Sequence, residues 1–541
     1  MNEAGKRVRG SGGQLCFSNP EARRLTKESL RSVIEKSNGE RAAKGLPPAK
    51  FARVTQNDNN FRCQCKECRA MVEKYGSESG LMLDLINDVA SAFPDISIIT
   101  LAYRFTRNPP KAGSIKAAPN VAIQIALQSR EWGDGETRLL LLPWTDERNA
   151  EARQQLLGWK DFADTFHIAD YGKFYQQAQP IPYTSLEAIF ANMPFYAANK
   201  VRHYFMENEF GSRKGGVLGT HAFQELEIYA TAKLMDNPAL DKEALLRDYF
   251  AGYYGPAASE MRQYLDYLLD CQRRRPPAER AYFATWEYLD AEFFRKSSSL
   301  LEGALDKVRG DEAYTGRVLF EAVPLYSSLL ALWPYLEQKH ETPPLSREKV
   351  VVQLKRASAA VSKRYFPNSV ESERLRILSL DGEGKVLLPP EAEGRPCRII
   401  IPPSGMTADA DSCLGLSRKL GARANHSRKP EFGIYDPVTK KLVMRRIFEE
   451  YPQDEKFHLL KVGSAPITGA LPYVFAHWSW RFVFRMGTYT PNLAEQDVDM
   501  WVSAKLQGPA YVKDSTKENL FAVDYILLVP QGNKANDKGA N

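Results

Sequence analysis

The spacing of apolar residues changes character twice along the chain, and each change marks a different architecture. Up to about residue 240, short apolar runs alternate with stretches whose apolar residues recur every three or four positions. The runs at 51–55, 96–103, 121–127, 165–169 and 201–206 read as buried strands. Leu81, Leu85, Val89 and Phe93 set a helical period, as do Leu25, Leu30, Val33 and Ile34 after the start signal Ser18-Asn19-Pro20. The spacing predicts helices over 20–36, 81–93, 150–159, 186–197 and 222–234. From 241 to about 366, helical spacing rich in leucine and aromatics continues through 245–254, 258–274, 278–300, 313–336 and 347–365. That predicts a bundle whose aromatics are core. Beyond Pro367, short runs at 398–401, 441–446, 457–462, 480–485, 498–506 and 521–529 are separated by Gly, Pro, Asn and Asp, the pattern of an antiparallel β-sandwich.

Alternating strands and helices argue for a parallel sheet, and closure into a (β/α)8 TIM-type barrel is the expected outcome. Five strands are legible, so the barrel reads as incomplete. Met1 falls in a loop-like stretch directly before a helix, and the expectation is that the chain begins inside a longer protein. The predicted division is a partial catalytic-type β/α barrel over 1–240, a helical region packed on it over 241–370, a sandwich that is a carbohydrate-binding candidate over 371–530, and a disordered tail over 531–541. No internal repeat is evident.

Composition narrows the class. Lys and Arg number 73 against 66 Asp and Glu, and the resulting +7 is spread without a basic stripe, so no nucleic-acid partner is expected. No apolar run reaches the roughly 20 residues of a membrane span. Residues 1–14, MNEAGKRVRGSGGQ, lack the apolar core of a signal peptide. Export, to the periplasm or outside the cell, is expected if the native start lies upstream; the residues present assign neither compartment nor oligomeric state. Seven cysteines do not make a disulfide scaffold in a chain of this length. No GxGxxG, P-loop, GxSxG or HExxH occurs, which argues against nucleotide, esterase and zincin chemistry, and no cofactor is expected.

Candidate chemistry gathers at the strand ends. The first strand runs into Gln56, Asn57, Asp58, Asn59 and Asn60, followed by Cys63, Cys65 and Cys68. The later strands end at Tyr103-Arg104, Gln128-Ser129-Arg130-Glu131, Asp170-Tyr171 and Glu207-Asn208-Glu209. Polar residues at C-terminal strand tips are how a β/α barrel builds a site.

Five segments together resemble the bacterial domain of unknown function 4838: LCFSNPEAR (15–23), QNDN with CxCxxC (56–68), NDVA (87–90), TLAYRFTRNPP (100–110) and DYFAGYYGPAA (248–258). The resemblance covers roughly 15–264, with motifs in matching order. Part of that group is glycoside hydrolase family 163, so the resemblance implies endo-β-N-acetylglucosaminidase activity on N-glycans and a carbohydrate substrate. Members usually carry more sequence before the LCFSNPE element, including an N-terminal domain and the first barrel strands. Two departures fall at the expected mouth: Ala169 precedes Asp170-Tyr171 where the family tends to show tryptophan, and 128–131 lacks the expected Cys- and His-containing segment.

Glycoside hydrolysis usually needs two carboxyl groups, one protonated and one ionised. Asp58, Glu131, Asp170, Glu207 and Glu209 are the strand-tip candidates. Glu207 follows an apolar tip and matches a family glutamate, which favours it among these as acid/base, with a solvated loop carboxylate the equal alternative. Asp58, among amides suited to sugar hydroxyls or an N-acetyl group, is a catalytic partner or an Asx-turn cap. Asp170 is an electrostatic partner or a helix-entry cap. Gln56, Asn57, Asn59, Tyr103, Arg104, Tyr171 and Asn208 are the substrate-binding candidates. Cys63, Cys65 and Cys68, with Cys16 or a histidine as fourth ligand, suit a structural metal; thiols or one disulfide ordering the loop is the blander and favoured alternative. His167 and His203 read as core, and His221 near Glu225 and Glu227 as a helix cap. Trp478, Trp480, Tyr489 and Trp501 are core or a sugar platform.

Overall fold

The structure, a computed structural model, describes residues 13–59, 61–126, 139–172, 181–207, 221–276, 278–280, 283–285, 287–338, 342–365 and 389–392. From there it describes 398–400, 406–407, 431–436, 441–448, 458–467, 473–477, 483–486, 496–507 and 520–531. The chain forms two compact units. One comprises Met1–Gly172, Ser185–Asn208 and Ile228–Leu240; the other comprises Lys173–Thr184, Glu209–Glu227 and Asp241–Asn541.

The first unit is built on β1 (Phe51–Arg53), β2 (Ser97–Ala102), β3 (Val121–Ala126), β4 (Phe166–Tyr171) and β5 (Val201–Glu207). They pair in parallel in chain order, so every predicted strand is present and in the predicted type of sheet. Its helices include α1 (Pro20–Ala42), α2 (Lys66–Tyr75), α3 (Glu78–Ser91), α4 (Ala150–Gly158), α5 (Leu186–Ala198) and, from Ile228 on, α6 (Gln224–Asp236). Local chemistry sets their ends. Asn19 caps α1 by accepting from the Ala22 N–H, with Pro20 opening the helix. Cys65 caps α2, which stops at Gly76 in the left-handed conformation, φ 73°. Ser77 then caps α3. Gly80 lets α3 press onto α2, since a Cβ there would stand 2.2 Å from Tyr75 Cβ.

One face of this sheet is a core: Ile98, Ile123, Ile125 and Ile168 pack with Leu83, Ile86 and Val89 of α3. The other face carries Arg53, Gln124, His167 and His203. The Arg53 guanidinium donates to Gln124 Oε1 at 2.7 Å, and the His167 and His203 rings lie 4.2 Å apart. Phe51 of β1 meets His203 of β5 edge-on at 5.7 Å between ring centroids. In a flat sheet, strands four places apart would be about 19 Å apart, so the sheet is curled and these side chains meet on its concave face. Burial, the neighbouring His203 and the Arg53 cation push His167 down to about 4. His203 is exposed, as are Phe51 and Phe205, so the expected core histidine at 203 is replaced by one on an open concave surface.

In the second unit, α7 (Lys242–Tyr254), α8 (Ala258–Arg274), α9 (Ala291–Lys307), α10 (Glu312–Gln338) and α11 (Arg347–Tyr365) supply the predicted helices, with one correction. The predicted helix over 278–300 begins only at Ala291; before it lie β6 (Ala278–Arg280) and β7 (Phe283–Thr285), paired antiparallel. Pro276-Pro277 and the Tyr-Phe-rich stretch after it favour extended backbone over helix. Toward the C-terminus come β8 (Arg398–Ile400), β9 (Met406–Thr407), β10 (Glu431–Asp436), β11 (Lys441–Ile447), β12 (His458–Ile467), β13 (Tyr473–His477), β14 (Val483–Met486), β15 (Gln496–Gln507) and β16 (Leu520–Pro530). They form two antiparallel sheets, ordered β11-β10-β13-β14-β9 and β12-β15-β16-β8. Phe432 and Ile434 of the first sheet share one apolar cluster with Val462, Val498, Met500 and Leu528 of the second.

Candidate functional site

The C-terminal ends of β1 and β2 are stitched together by side chains. Gln56 is buried; its Nε2 donates to the Tyr103 carbonyl at 2.6 Å, and its Oε1 accepts from Thr106 Oγ1 at 2.8 Å. This amide is consumed in joining the two tips rather than presented to a ligand. Beside it, the Tyr103 hydroxyl and Arg104 Nη2 both donate to Asp58 Oδ1 at 2.7 Å. Asp58 is 76% exposed while Arg104 is 4% exposed, so a buried cation holds a carboxylate that faces solvent. Arg104 has φ 51°, a left-handed conformation that a non-glycine residue adopts only when its surroundings enforce it. Burial and the hydrogen bond to Asp58 push the Tyr103 phenol well above its ordinary value, so the phenol stays a donor. Asp58 is therefore held by the neighbouring strand's tip, more than the Asx-turn alternative requires.

Asn57 and Asn59 point elsewhere. Both donate to the Gly13 carbonyl, at 2.7 and 3.1 Å, and Gln14 Nε2 donates to the Asn57 carbonyl and to Asn59 Oδ1. These amides tie the Asp58 segment to the stretch before α1.

At the other edge, Glu207 ends β5 opposite Tyr171 of β4, and the Gly172 N–H donates to the Glu207 carbonyl at 3.0 Å. Both side chains are half-buried. Phe51 and His203 meet across the concave face, and in this parallel sheet Asp58 and Glu207 both belong to the C-terminal strand ends. Asp170 faces the other way. It is 4% exposed and accepts from the hydroxyls of Tyr196 on α5 and Tyr204 on β5 at 3.2 and 3.1 Å, so it faces the helix layer. Asn208, Glu131 and Glu209 lie outside the described residues, as do Trp478, Trp480 and Tyr489. Trp501 is half-buried with the Lys461 ammonium 5.3 Å from its ring centroid.

The three motif cysteines come together with a fourth. The Sγ atoms of Cys16, Cys63, Cys65 and Cys68 all lie within 4.8 Å of one another. Four cysteine sulfurs gathered in this way are a ligand set that soft metal ions occupy.

The second unit holds a carboxylate cluster that sequence reasoning missed. His221 and Glu227, 1% and 0% exposed, meet at 2.7 Å between Nε2 and Oε2. Thr184 Oγ1 donates to Glu227 Oε1 at 2.7 Å, and Tyr183 stacks on the His221 ring at 4.6 Å. Glu321 of α10 accepts from the Phe223 N–H at 2.7 Å and from the Tyr254 hydroxyl at 2.9 Å. Burial pushes Glu321 up to about 8, against those two hydrogen bonds and with the help of Glu225 and Glu227. Phe223 is fully buried at φ 58°. His221 is thus a buried partner of Glu227 instead of a cap. The spacing of His221, Glu225 and Glu227 was the visible signal; Glu321, far along the chain, offered none.

Residues 2–266 match the family described as Domain of unknown function (DUF4838), which supports the resemblance carried by the five segments. No curated protein matches the chain.

Proposed function

Proceeding from that match, we propose that this protein is a glycoside hydrolase-like enzyme acting on β-linked, N-acetylglucosamine-containing glycans. On this reading the curled sheet is part of a (β/α)8 TIM-type barrel, and the two antiparallel sheets make a β-sandwich that assists carbohydrate binding. The observation that carries the reading is Asp58, a solvent-facing carboxylate positioned by Tyr103 and by a conformationally constrained Arg104, beyond the C-terminal end of β1 in the sheet whose β5 ends at Glu207. In this assignment Glu207 gives a proton to the glycosidic oxygen and later takes one from water. Asp58 acts on the anomeric carbon as nucleophile or as the charge that stabilises the oxocarbenium-like transition state. Tyr171, beside Glu207, and Tyr103 and Arg104 orient the sugar and the carboxylates. Asp170 supports the site by fixing β4 and β5 to α5.

The purified chain, its Glu207→Gln variant and its Asp58→Asn variant would be incubated with N-glycoproteins and β-linked N-acetylglucosamine oligosaccharides, with released sugar measured by mass spectrometry. Release by the parent and a loss of about 10²–10⁴-fold in either variant is expected. Release undiminished in both variants would remove Asp58 and Glu207 from the mechanism. A second reading is non-catalytic carbohydrate binding on an incomplete barrel. It is favoured by the solvent-exposed rings of Phe51 and Phe205, 53% and 55% exposed, which offer stacking surfaces on or beside the concave face. Glycan binding by the parent without any release would select it.

A further inference from the structure

Four cysteines from two separate stretches converge on one point of the first unit. Cys16 lies in the turn before α1, closed by the Asn19 N–H donating to the Cys16 carbonyl at 3.1 Å. Cys63 and Cys65 precede α2. Cys65 is its N-cap, and Cys68, in the first turn, donates its N–H to Cys65 Sγ at 3.4 Å. Cys16 Sγ stands 3.6 Å from both Cys65 Sγ and Cys68 Sγ. Tetrahedral zinc with Zn–S bonds of about 2.3 Å spaces its sulfurs about 3.8 Å apart, whereas a disulfide holds them at about 2.05 Å. The four are thiols rather than half-cystines; the two Cys16 distances match that tetrahedral spacing, and all four sulfurs lie within 4.8 Å of one another.

A second feature supports a charged occupant. Ser18 places its hydroxyl 3.1 Å from Cys68 Sγ, 3.5 Å from Cys16 Sγ and 3.6 Å from Cys65 Sγ. One O–H can donate to one of these sulfurs at a time, an outer-shell hydrogen bond of the kind that supports a coordinated thiolate. Cys68 is fully buried and the other three are half-buried.

We propose that Cys16, Cys63, Cys65 and Cys68 form a structural site for one thiophilic divalent metal ion, zinc foremost. Binding replaces four S–H protons by four metal–sulfur bonds and releases the protons to solvent, with no redox change. Four sulfur ligands complete the coordination and leave no position for water or substrate, so the ion holds structure and does no chemistry on a sugar. What it holds is the segment that carries Asp58. Gly13 and Gln14, just before Cys16, receive the Asn57 and Asn59 side chains, so the ion would fasten both ends of that contact.

The test is metal analysis of the full chain, purified under reducing conditions, followed by Co²⁺ titration. One zinc per chain is expected, with an intense sulfur-to-cobalt charge-transfer band and tetrahedral visible bands after exchange. Cys16→Ser should lose the ion, and Cys271→Ser, altered at a buried cysteine of the other unit, should keep it. Should Cys16→Ser fail to fold, the Co²⁺ spectrum of the parent decides alone. A parent chain whose reduced thiols take up neither Zn²⁺ nor Co²⁺, or whose cobalt complex lacks the thiolate band, overturns the proposal. Equal metal in parent and Cys16→Ser overturns the four-ligand assignment.

Discussion

Each unit sets carboxyl chemistry against a strained residue, one carboxylate in the first and a pair in the second, and the settings are opposite. In the first, Asp58 faces solvent and is held from behind by Tyr103 and by Arg104 at φ 51°. In the second, Glu227 and Glu321 are fully buried, satisfied by His221, Thr184, Tyr254 and the N–H of Phe223 at φ 58°. The buried cluster has the more perturbed protonation, with Glu321 near 8. A perturbed carboxyl in a structure is a candidate for catalysis, yet a group with no exposed surface has no substrate to protonate. Accessibility separates the two clusters where perturbation alone points to the wrong one. We assign chemistry to the exposed cluster and cohesion to the buried one.

That assignment can be broken by substitution. The largest effect is expected on turnover: Asp58→Asn should lower glycan release about 10²–10⁴-fold and lower the urea midpoint less than Glu227→Ala does, because the amide oxygen can still accept from Tyr103 and from the buried Arg104 guanidinium. Glu227→Ala should do the reverse. It leaves His221 and Thr184 buried without their carboxylate, which costs about 3–5 kcal/mol, read as a lowered urea midpoint with normal turnover per folded molecule. A smaller effect belongs to Tyr103→Phe, which removes one hydrogen bond onto Asp58. About 1 kcal/mol, seen as a several-fold loss in kcat/KM, is the expected size.

The pH dependence sharpens the contrast. Glu321 has a folded-state pKa raised from 4.5 to about 8. Its contribution is full below pH 4.5 and is lost as pH rises toward 8, by about 1.4 kcal/mol per unit. His167 is lowered from 6.5 to about 4, so its contribution is present above pH 6.5 and lost as pH falls toward 4. The second unit should weaken with alkali and the first with acid. Urea midpoints across this range, with Glu321→Gln abolishing the alkaline trend and His167→Gln the acid one, check both signs.

Much of the fold was legible because its elements have strong periods. The five parallel strands are short apolar runs between amphipathic helices, and all five pair as such. Helix α2 was missed because it begins inside the cysteine motif, where Cys65 is at once cap and candidate ligand. Asp58 and Glu207 were legible as carboxylates at strand tips, the positions on which the proposed function rests, but Asp170 illustrates the limit. Neighbouring residues of a strand face opposite sides, so Asp170 turns to Tyr196 and Tyr204 in the helix layer while Tyr171 does not follow it there. Being at a tip does not say which face a side chain serves. Gln56, Asn57 and Asn59 looked like sugar binders by type, yet the first joins two strand tips and the others anchor Gly13. Glu321 meets Phe223 and Tyr254 only through tertiary packing, which no local pattern encodes.

The most direct test is a crystal structure of the Glu207→Gln variant with an N-acetylglucosamine-containing N-glycan core bound. The account predicts the sugar at the C-terminal end of the curled sheet, with Asp58, Tyr103 or Arg104 in hydrogen-bond contact and the glycosidic oxygen beside residue 207. A glycan seated elsewhere, for example against Trp501 with Asp58 and residue 207 untouched, would contradict it.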